Sequence, residues 1–415
     1  MTPDASRTPA SVIVVSRHRA AALTRCLTAL GQQDHPSFEV IVVADPLGAA
    51  AVRAQGMAVK LAEFDEPNIS AARNVGLGLA AGEVVAFIDD DAVAEPSWLS
   101  RLCSGFANPD VVAATGFVRG RNGISYQWQA CEVNALGQDH PIVVPLHGIT
   151  LRAGTRRRAV KTQGTNCAFR RAPLLAVGGF DPALRFYLDE ADLNLRLGGL
   201  TAILPLAQVH HGYLASAYRR ADRVPVSLHE IAASTAVFLR RHADRAAVEA
   251  GLAPLQRREA DRIASHLAAR RITRAEADRL TATLEAGWSD GLARGLLPLS
   301  PLTATQSPFQ PLPDTGPRTG RVIAGRRWLR RGLLAKARAA VSSGCVVTVI
   351  CLSPTPRAHR MQFTADGYWL QEGGLFGRAD RDGTRLRLSS FSTRIGEEVA
   401  RWSLFRPTGL PNSRR

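Results

Sequence analysis

This 415-residue sequence has no long hydrophobic run, no closely spaced pair of cysteines and very few lysines. No stretch approaches the roughly 18 unbroken apolar residues of a membrane-spanning helix. The start, MTPDASRTPASVIVV, lacks the basic and then apolar layout of a signal peptide. Because 46% of the residues are hydrophobic, the chain can bury a sizeable core. We therefore expect a globular protein located in the cytoplasm.

The cysteines form no CxxC pair, which argues against a redox motif or a zinc site of that spacing. Several lie inside apolar stretches, where a thiol behaves as a small hydrophobic side chain. We interpret all six as reduced core residues: Cys26, Cys103, Cys131, Cys167, Cys345 and Cys351.

Lysine is nearly absent, although the net charge is +16. Lys60, Lys161 and Lys336 are the only lysines among 52 basic residues, and the 49 arginines are spread along the chain. Such a bias is explained more simply by genome composition than by recognition of nucleic acid, so we predict no nucleic-acid partner. Small arginine clusters suit anionic lipid head groups or a phosphorylated substrate equally well. They comprise residues 156–158, residues 219–220 and the four arginines 326, 327, 330 and 331.

The first two hundred residues alternate strand and helix signals. SVIVV (11–15) and FEVIVVA (38–44) are short, β-branched apolar runs, and EVVAFI (83–88) is another. Leu23, Cys26, Leu27 and Leu30 have the spacing of one helical face. Strands that are apolar throughout and separated by helices predict an α/β fold with a mostly parallel, Rossmann-like sheet.

Polar residues follow three of these strands. They are Ser16 to Arg19, Asp45, and the triplet Asp89, Asp90 and Asp91. The carboxyl ends of parallel strands meet at one edge of a sheet, where ligands bind. We therefore expect one crevice built from these three pieces.

The three aspartates are candidates for a metal site. In an extended or turning segment Asp89 and Asp91 point the same way, and Asp90 points elsewhere. Two carboxylates on one side suit Mg²⁺ or Mn²⁺, which complete their coordination with water and substrate phosphates. A solvated acidic turn that caps the following helix is the alternative.

The second half changes character twice. Residues 219–297 are rich in Ala and Arg with helical spacing, and residues 298–320 hold six prolines, which predicts a linker. Residues 321–415 contain a basic helix (about 326–340), the strand candidate CVVTVICL, and hairpin signals at Asp366-Gly367 and Asp382-Gly383. We therefore expect four parts: 1–218, a helical segment 219–297, a linker 298–320, and a small β-containing module 321–415 of unknown role.

Residues 11–213 carry a series of motifs in one order. After Asp45 come NISAARNVGLGLAAGEVVAFIDDD, GTNCAFRR (164–171), GGFDPALRFYLDEADLNLRL (178–197) and PLAQVHH (205–211). Together they resemble the signatures of family 2 glycosyltransferases, which are inverting enzymes with the GT-A fold. The resemblance covers about half of the chain and identifies residues 1–218 as the expected GT-A domain.

The resemblance implies residue roles. Asp89 and Asp91 match the DxD pair that contacts the ribose and the metal of a nucleotide diphosphate. Asp45 matches the aspartate that receives the base edge, and Arg73 the arginine that helps to hold the nucleotide. Where family members have a Thr-Tyr-Asn type sequence, this chain has SRHR, so stacking on the base stays open. The expected nucleotide-sugar ligands are Ser16, Arg17, Asp45, Arg73, Asp89 and Asp90, and the expected metal ligands are Asp89, Asp91 and His210.

Direct inversion needs a base to accept the acceptor proton. Candidates are Asp189 and Glu190, at the amino end of an expected helix. Family members more often have Glu-Asp with the second residue as base, which favours Glu190, with Asp189 as its neighbour or stand-in. Asp192 is predicted to pair with Arg196 four residues on. His210 matches a histidine that ligates metal in some GT-A enzymes, but its neighbour His211 could equally fill that role.

These observations predict a metal-dependent inverting glycosyltransferase of polysaccharide biosynthesis. It would move a sugar from a nucleotide diphosphate, favoured as UDP, to a hydroxyl of a glycan or lipid-linked acceptor. The basic helix of residues 321–415 is a candidate for peripheral contact with the inner face of a membrane, and homodimerisation stays open. The alternatives are a non-catalytic scaffold with the same fold and a sugar-nucleotide pyrophosphorylase. The latter usually has a Gly-rich loop after the first strand, whereas SRHRAAAL has no glycine.

Overall fold

The first strands alternate with helices and form the parallel half of a central sheet. The computed structural model describes residues 8–409. The strands of this half are β1 (Ala10–Ser16), β2 (Phe38–Ala44), β3 (Lys60–Glu63) and β4 (Val84–Asp89), and the helices are α1 (Ala20–Leu30), α2 (Pro46–Gln55) and α3 (Ile69–Leu77). They pair in parallel in the order β3-β2-β1-β4. The predicted α/β fold class is confirmed.

Both faces of β1, β2 and β4 are buried, as their apolar sequences require, whereas the edge strand β3 is only partly buried. Helix α1 buries Leu23, Cys26, Leu27 and Leu30 against one face, which confirms the predicted helical stripe. A second cluster, which includes Phe87, Phe169 and Phe180, fills the other face. The core therefore consists of two layers on either side of the sheet.

Beyond β4 the sheet continues in the order β4-β12-β6-β13-β10, with antiparallel strands added to the parallel half. The elements that follow β4 along the chain, up to β13, are β5 (Ala92–Ala94), α4 (Trp98–Ser104), β6 (Val111–Arg119), β7 (Tyr126–Trp128), β8 (Cys131–Asn134), β9 (Asp139–Pro141), β10 (Thr150–Gly154), β11 (Arg158–Val160), β12 (Cys167–Arg170), α5 (Arg171–Ala176), α6 (Asp189–Leu197) and β13 (Gly199–His211). Strands β5 and β7 pair with β13 and β6, whereas β8, β9 and β11 form a separate three-stranded sheet.

Strand β13 contains a bulge. From Leu204 to Val209 it advances five residues, while its parallel partner β6 advances two, from Gly116 to Val118. A side chain at position 116 would overlap the carbonyl group of Ala207, so glycine permits this close approach. The bulge lies just before the end of β13.

Four helices follow the sheet domain: α7 (His229–His242), α8 (Arg245–Ala250), α9 (Leu252–Ala268) and α10 (Arg274–Ala293). They share an apolar cluster that includes Leu255, Leu284 and Trp288. No helix or strand is present in residues 294–319, all of which the structure describes. This linker is nevertheless fixed to the sheet domain, because the Gln310 N–H donates to Glu39 (2.9 Å) and the Leu312 N–H donates to the Phe38 carbonyl (2.8 Å).

The last part is a small α/β module. Its elements are β14 (Gly320–Arg326), α11 (Arg330–Ser342), β15 (Val346–Ser353), β16 (Arg360–Phe363), β17 (Trp369–Gly374) and α12 (Phe391–Trp402). The sheet order is β14-β15-β17-β16, with the first three strands parallel. Apolar clusters lie on both faces, one with α11 and one with α12. We call residues 320–409 the C-terminal module.

Several predictions for this module can be compared with the structure. The basic helix begins at Arg330, after a 3₁₀ turn at Arg327–Leu329, rather than at Arg326. Asp366-Gly367 forms the turn of the β16–β17 hairpin, as predicted. Asp382-Gly383 does not join two strands; it lies in a loop closed by one isolated bridge between Gly377 and Leu386.

All six cysteines are free, as predicted, although Cys131 and Cys345 are only partly buried. Between residues 8 and 409, no helix combines the length and apolar character needed to cross a bilayer.

Candidate active site

The polar ends of β1, β2 and β4 meet at one edge of the sheet. Ser16 lies opposite Ala44, and Val15 lies opposite Asp89. Ser16, Asp45 and Asp89 therefore line the same edge, at the carboxyl ends of three neighbouring parallel strands.

Asp90 is buried beneath this edge. It accepts a hydrogen bond from the Ser16 hydroxyl (2.7 Å), and one of its oxygens lies 2.6 Å from a terminal nitrogen of Arg19. Burial raises the pKa of Asp90 to about 7 despite the opposing charge of Arg19. Asp90 is 0% exposed and Ser16 2%, so both present little surface to a nucleotide. Ser16 holds Asp90, and Asp90 in turn contacts Arg19 at the crevice.

Asp89, Asp91 and His211 offer three ligand atoms that all lie within 4.8 Å of one another. His211 Nε2 is 3.2 Å from Asp91 and 3.9 Å from Asp89. His211 Nδ1 faces the side-chain carbonyl of Gln127 at 3.2 Å, and a hydrogen on Nδ1 leaves Nε2 free to bind a cation. Burial acts to raise the pKa of Asp91, but Arg19 and His211, when its Nε2 carries a proton, hold that pKa well below its usual range. This oxygen and nitrogen set fits Mg²⁺ or Mn²⁺.

His210 was the expected third ligand, but the structure groups His211 rather than His210 with Asp89 and Asp91. Adjacent residues of a strand face opposite sides, so His210 points away from the aspartates. Its Nε2 lies 2.8 Å from Glu95, and its ring lies 4.8 Å from that of Trp369. Burial lowers the pKa of His210 to about 4. The sequence left His210 and His211 as alternatives for this position, and it is His211 that lies beside Asp89 and Asp91.

Arg73 joins the aspartate triplet to the candidate bases. It is 3% exposed and contacts Asp189, Glu190 (3.1 Å) and Asp89 (3.6 Å). Against the effect of burial, these carboxylates raise the pKa of Arg73, so it stays charged. Burial and the adjacent Glu190 raise the pKa of Asp189 well above its usual value. The side chain of Glu190 is 19% exposed and that of Asp189 is 3%, so Glu190 is the more accessible carboxylate.

Gly164 leaves room for this carboxylate. A Cβ atom at position 164 would overlap Oε1 of Glu190 and the guanidinium of Arg73. The sequence motif GTNCAFRR marked this glycine without indicating why glycine is needed there.

Asp45 and Arg17 differ in accessibility. Asp45 is 1% exposed and accepts hydrogen bonds from the backbone N–H groups of His18, Leu47 and Gly48. Burial acts to raise the pKa of Asp45, but these hydrogen bonds lower it below its usual value. One of its oxygens therefore caps the start of α2, and the other holds the turn after β1. Arg17 lies at the surface and pairs with Asp65 at 2.8 Å.

Three non-glycine residues with left-handed backbones flank the crevice: His18 (φ 58°), Leu188 (φ 63°) and Tyr213 (φ 52°). Leu188 directly precedes Asp189, and Tyr213 follows His211 by two residues. Such conformations cost about 1–3 kcal/mol each and cluster at functional sites. His18 is half exposed, with its ring between Asp45 (3.7 Å) and Asp65 (3.2 Å). The sequence predicted His18 at the crevice only as part of Ser16 to Arg19, because backbone strain leaves no sequence signal.

Asp192 pairs with Arg196, as predicted. It pairs with Arg196 at 2.6 Å and with His242 at 2.9 Å, and it is 0% exposed. It is thus separate from the crevice residues.

Residues 11–176 match the family model described as "Glycosyl transferase family 2". Among curated proteins, a 116-residue segment is 37% identical to the glucosyl-dolichyl phosphate glucuronosyltransferase of Haloferax volcanii, covering 27% of this chain and 34% of that protein. A 217-residue segment is 27% identical to the pre-mycofactocin glycosyltransferase of Mycobacterium tuberculosis, covering 49% and 42%. The chain spans less than half the length of each of these relatives.

Among solved structures, the chain is similar to a mannosyltransferase from Pyrobaculum calidifontis in complex with GDP-Man and Mn²⁺. The identity is 20% and the TM-score 0.42, with 69% of this chain and 87% of that chain covered.

Proposed function

We propose that this chain, whose residues 11–176 match the model of glycosyltransferase family 2, is a metal-dependent inverting glycosyltransferase. It transfers a sugar from a nucleotide diphosphate, favoured as UDP, to a hydroxyl of a glycan or lipid-linked acceptor. A single observation carries the proposal: Arg73 contacts Asp89 on one side and both Asp189 and Glu190 on the other. Asp89 belongs to the group of metal-binding candidates with Asp91 and His211, so the candidate metal ligands and the candidate bases lie at one crevice.

Asp89, Asp91 and His211 would hold the divalent cation. When bound, such an ion neutralises charge that develops on the departing diphosphate. Arg19 lies 3.3 Å from Asp91 and is one-quarter exposed, so it can contact a donor phosphate from the protein side. Arg73 adds a buried positive charge and contacts the two candidate bases.

Glu190 is the proposed base. Its carboxylate is the more exposed of the pair, and Arg73 holds Asp189 on the buried side. Glu190 would take the proton from the acceptor hydroxyl as that oxygen attacks the anomeric carbon, while the sugar–phosphate bond breaks and the diphosphate leaves.

The donor base and the acceptor sugar would bind on either side of this centre. His18 presents its ring at the exposed end of β1, near Arg17 and Asp65, and is suited to contact the nucleoside. Trp128 stacks on His211 with ring centroids 5.7 Å apart and is 36% exposed, so its open face suits an acceptor sugar. The printed name of the Haloferax volcanii relative contains a lipid-linked sugar, glucosyl-dolichyl phosphate, which supports a lipid-linked acceptor.

A thermal-shift panel tests the function. We expect one of UDP, GDP, CDP and dTDP to stabilise the wild type only when Mn²⁺ is present, by about 2.7 kcal/mol at a concentration of 100 Kd. Asp91→Ala should abolish this stabilisation, and Asp110→Ala, a remote exposed carboxylate, should retain it. If no nucleotide gives a metal-dependent shift, the scaffold alternative is favoured.

The histidine assignment is tested by Mn²⁺ titration of the same proteins. His211→Ala should weaken Mn²⁺ binding at least tenfold, because it removes one of three possible ligands. His211→Gln offers a substitute with polar atoms and should lose less. Unchanged Mn²⁺ affinity in His211→Ala would leave the two aspartates as the only protein ligands.

A further inference from the structure

The C-terminal module has a cavity of about 340 Å³, remote in sequence from the crevice. It is lined by Arg327, Arg330, Cys351, Arg357, Glu372 and Gly373. Its volume is near the lower end of the range for small-molecule sites, about 300–1,000 Å³. Parallel strands β14, β15 and β17 end beside it, with Arg326 opposite Leu352 and Ser353 opposite Gly374. This edge of a parallel sheet is where α/β folds bind ligands.

Positive charge predominates in the cavity. Arg330 Nε lies 2.9 Å from Glu372, so one guanidinium is paired. Within residues 8–409, no carboxylate lies within ion-pair distance of Arg327 or Arg357. The cavity therefore carries a surplus of two positive charges. Helix α11, 13 residues long, also begins at Arg330 and directs its first N–H groups to this edge.

We propose that this cavity binds a phosphate or phosphate-ester group. The arginine side chains suit phosphate because each guanidinium can donate two parallel hydrogen bonds to its oxygens. A doubly charged phosphate monoester matches the surplus charge. Cys351 and Gly373 provide a small, buried floor rather than further charge.

The neighbouring surface favours a phosphate carried by a lipid head group. Trp328 is 70% exposed and Leu329 53%, and both lie between Arg327 and Arg330. An exposed aromatic and an exposed aliphatic side chain flanked by arginines suit the boundary between head groups and acyl chains. A soluble phosphate ester is the other source of the same chemistry.

The test uses the full chain in EDTA, which removes metal-dependent binding at the crevice. Binding is measured to phosphatidylcholine vesicles with and without phosphatidic acid, and to inorganic phosphate by calorimetry. The site variant is Arg327→Gln/Arg357→Gln. The control is Arg321→Gln/Arg338→Gln, which removes the same charge from the start of β14 and the far end of α11.

We expect the site variant to weaken binding at least tenfold, because each lost charged hydrogen bond accounts for about a tenfold change. The control should change it less than threefold. If the protein binds phosphatidic acid vesicles and Trp328→Ser abolishes this binding, the phosphate comes from a lipid head group. Binding of inorganic phosphate without vesicle binding assigns a soluble source. The proposal is overturned if the wild type binds neither probe. It is also overturned if the site variant and the control variant lose binding equally, because net charge alone then explains the attraction.

Discussion

Replacing Glu190 with glutamine is expected to lower kcat by about 10²–10⁴-fold, the usual contribution of a general base. Glutamine keeps the size of the side chain but cannot take a proton from the acceptor. Nucleotide and Mn²⁺ binding should be nearly unchanged, because Asp89, Asp91 and His211 form the proposed cation site. This split between kcat and donor binding distinguishes a base from a residue that only supports the site.

Asp189→Asn is the matched variant. Asp189 is buried against Arg73, so its loss should lower stability and donor binding together with activity. Steady-state kinetics, the nucleotide-dependent thermal shift and the melting temperature are measured for both proteins. If Asp189→Asn loses kcat alone while Glu190→Gln retains activity, the two roles are reversed.

Arg406→Met is expected to destabilise the protein by about 3–5 kcal/mol, because it leaves a buried carboxylate with too little positive charge. Arg406 and Glu95 are both 0% exposed and form an ion pair between the C-terminal module and the sheet domain. His210 also contacts Glu95, at 2.8 Å. The guanidinium of Arg406 lies 3.8 Å from the Trp369 ring centre.

Chemical denaturation measures this effect. Arg338→Met is the control, since Arg338 pairs with Asp366 at the surface, where such pairs contribute about 0–1 kcal/mol. The double variant Glu95→Gln/Arg406→Met should be more stable than Arg406→Met, because the unpaired charge is gone. Equal stability of Arg406→Met and Arg338→Met would contradict the assignment of a buried, closely coupled pair.

The sequence predicts the elements near the crevice well because their signals are local. Strands β1, β2 and β4 are apolar runs, and α1 repeats its apolar residues with helical spacing. The ends of parallel strands must share an edge, so the position of Asp45 and Asp89 follows from sequence alone.

Contacts between distant residues could not be predicted in this way. Arg406 and Glu95 are 311 positions apart, and Ser16 reaches Asp90 across 74. Both pairs depend on the final packing, and each side chain taken by itself resembles an ordinary surface residue. The burial of Asp45 and Asp90 likewise depends on tertiary structure, so it could not be predicted from their positions after the strands.

The bulge in β13 decides which histidine faces the aspartates. Side chains alternate between the two faces along a strand. Between Leu204 and Val209, β13 contains three more residues than the paired segment of β6, and because three is odd, the residues that follow face the opposite side. Without that excess, His210 would face the crevice and His211 would face the C-terminal module. Deleting one residue within 205–208 should therefore exchange the environments of the two histidines, turning a metal-facing imidazole into a partner of Glu95. Which histidine lies where the proposed third ligand is needed thus depends on the length of a bulge several residues upstream, rather than on the histidine itself.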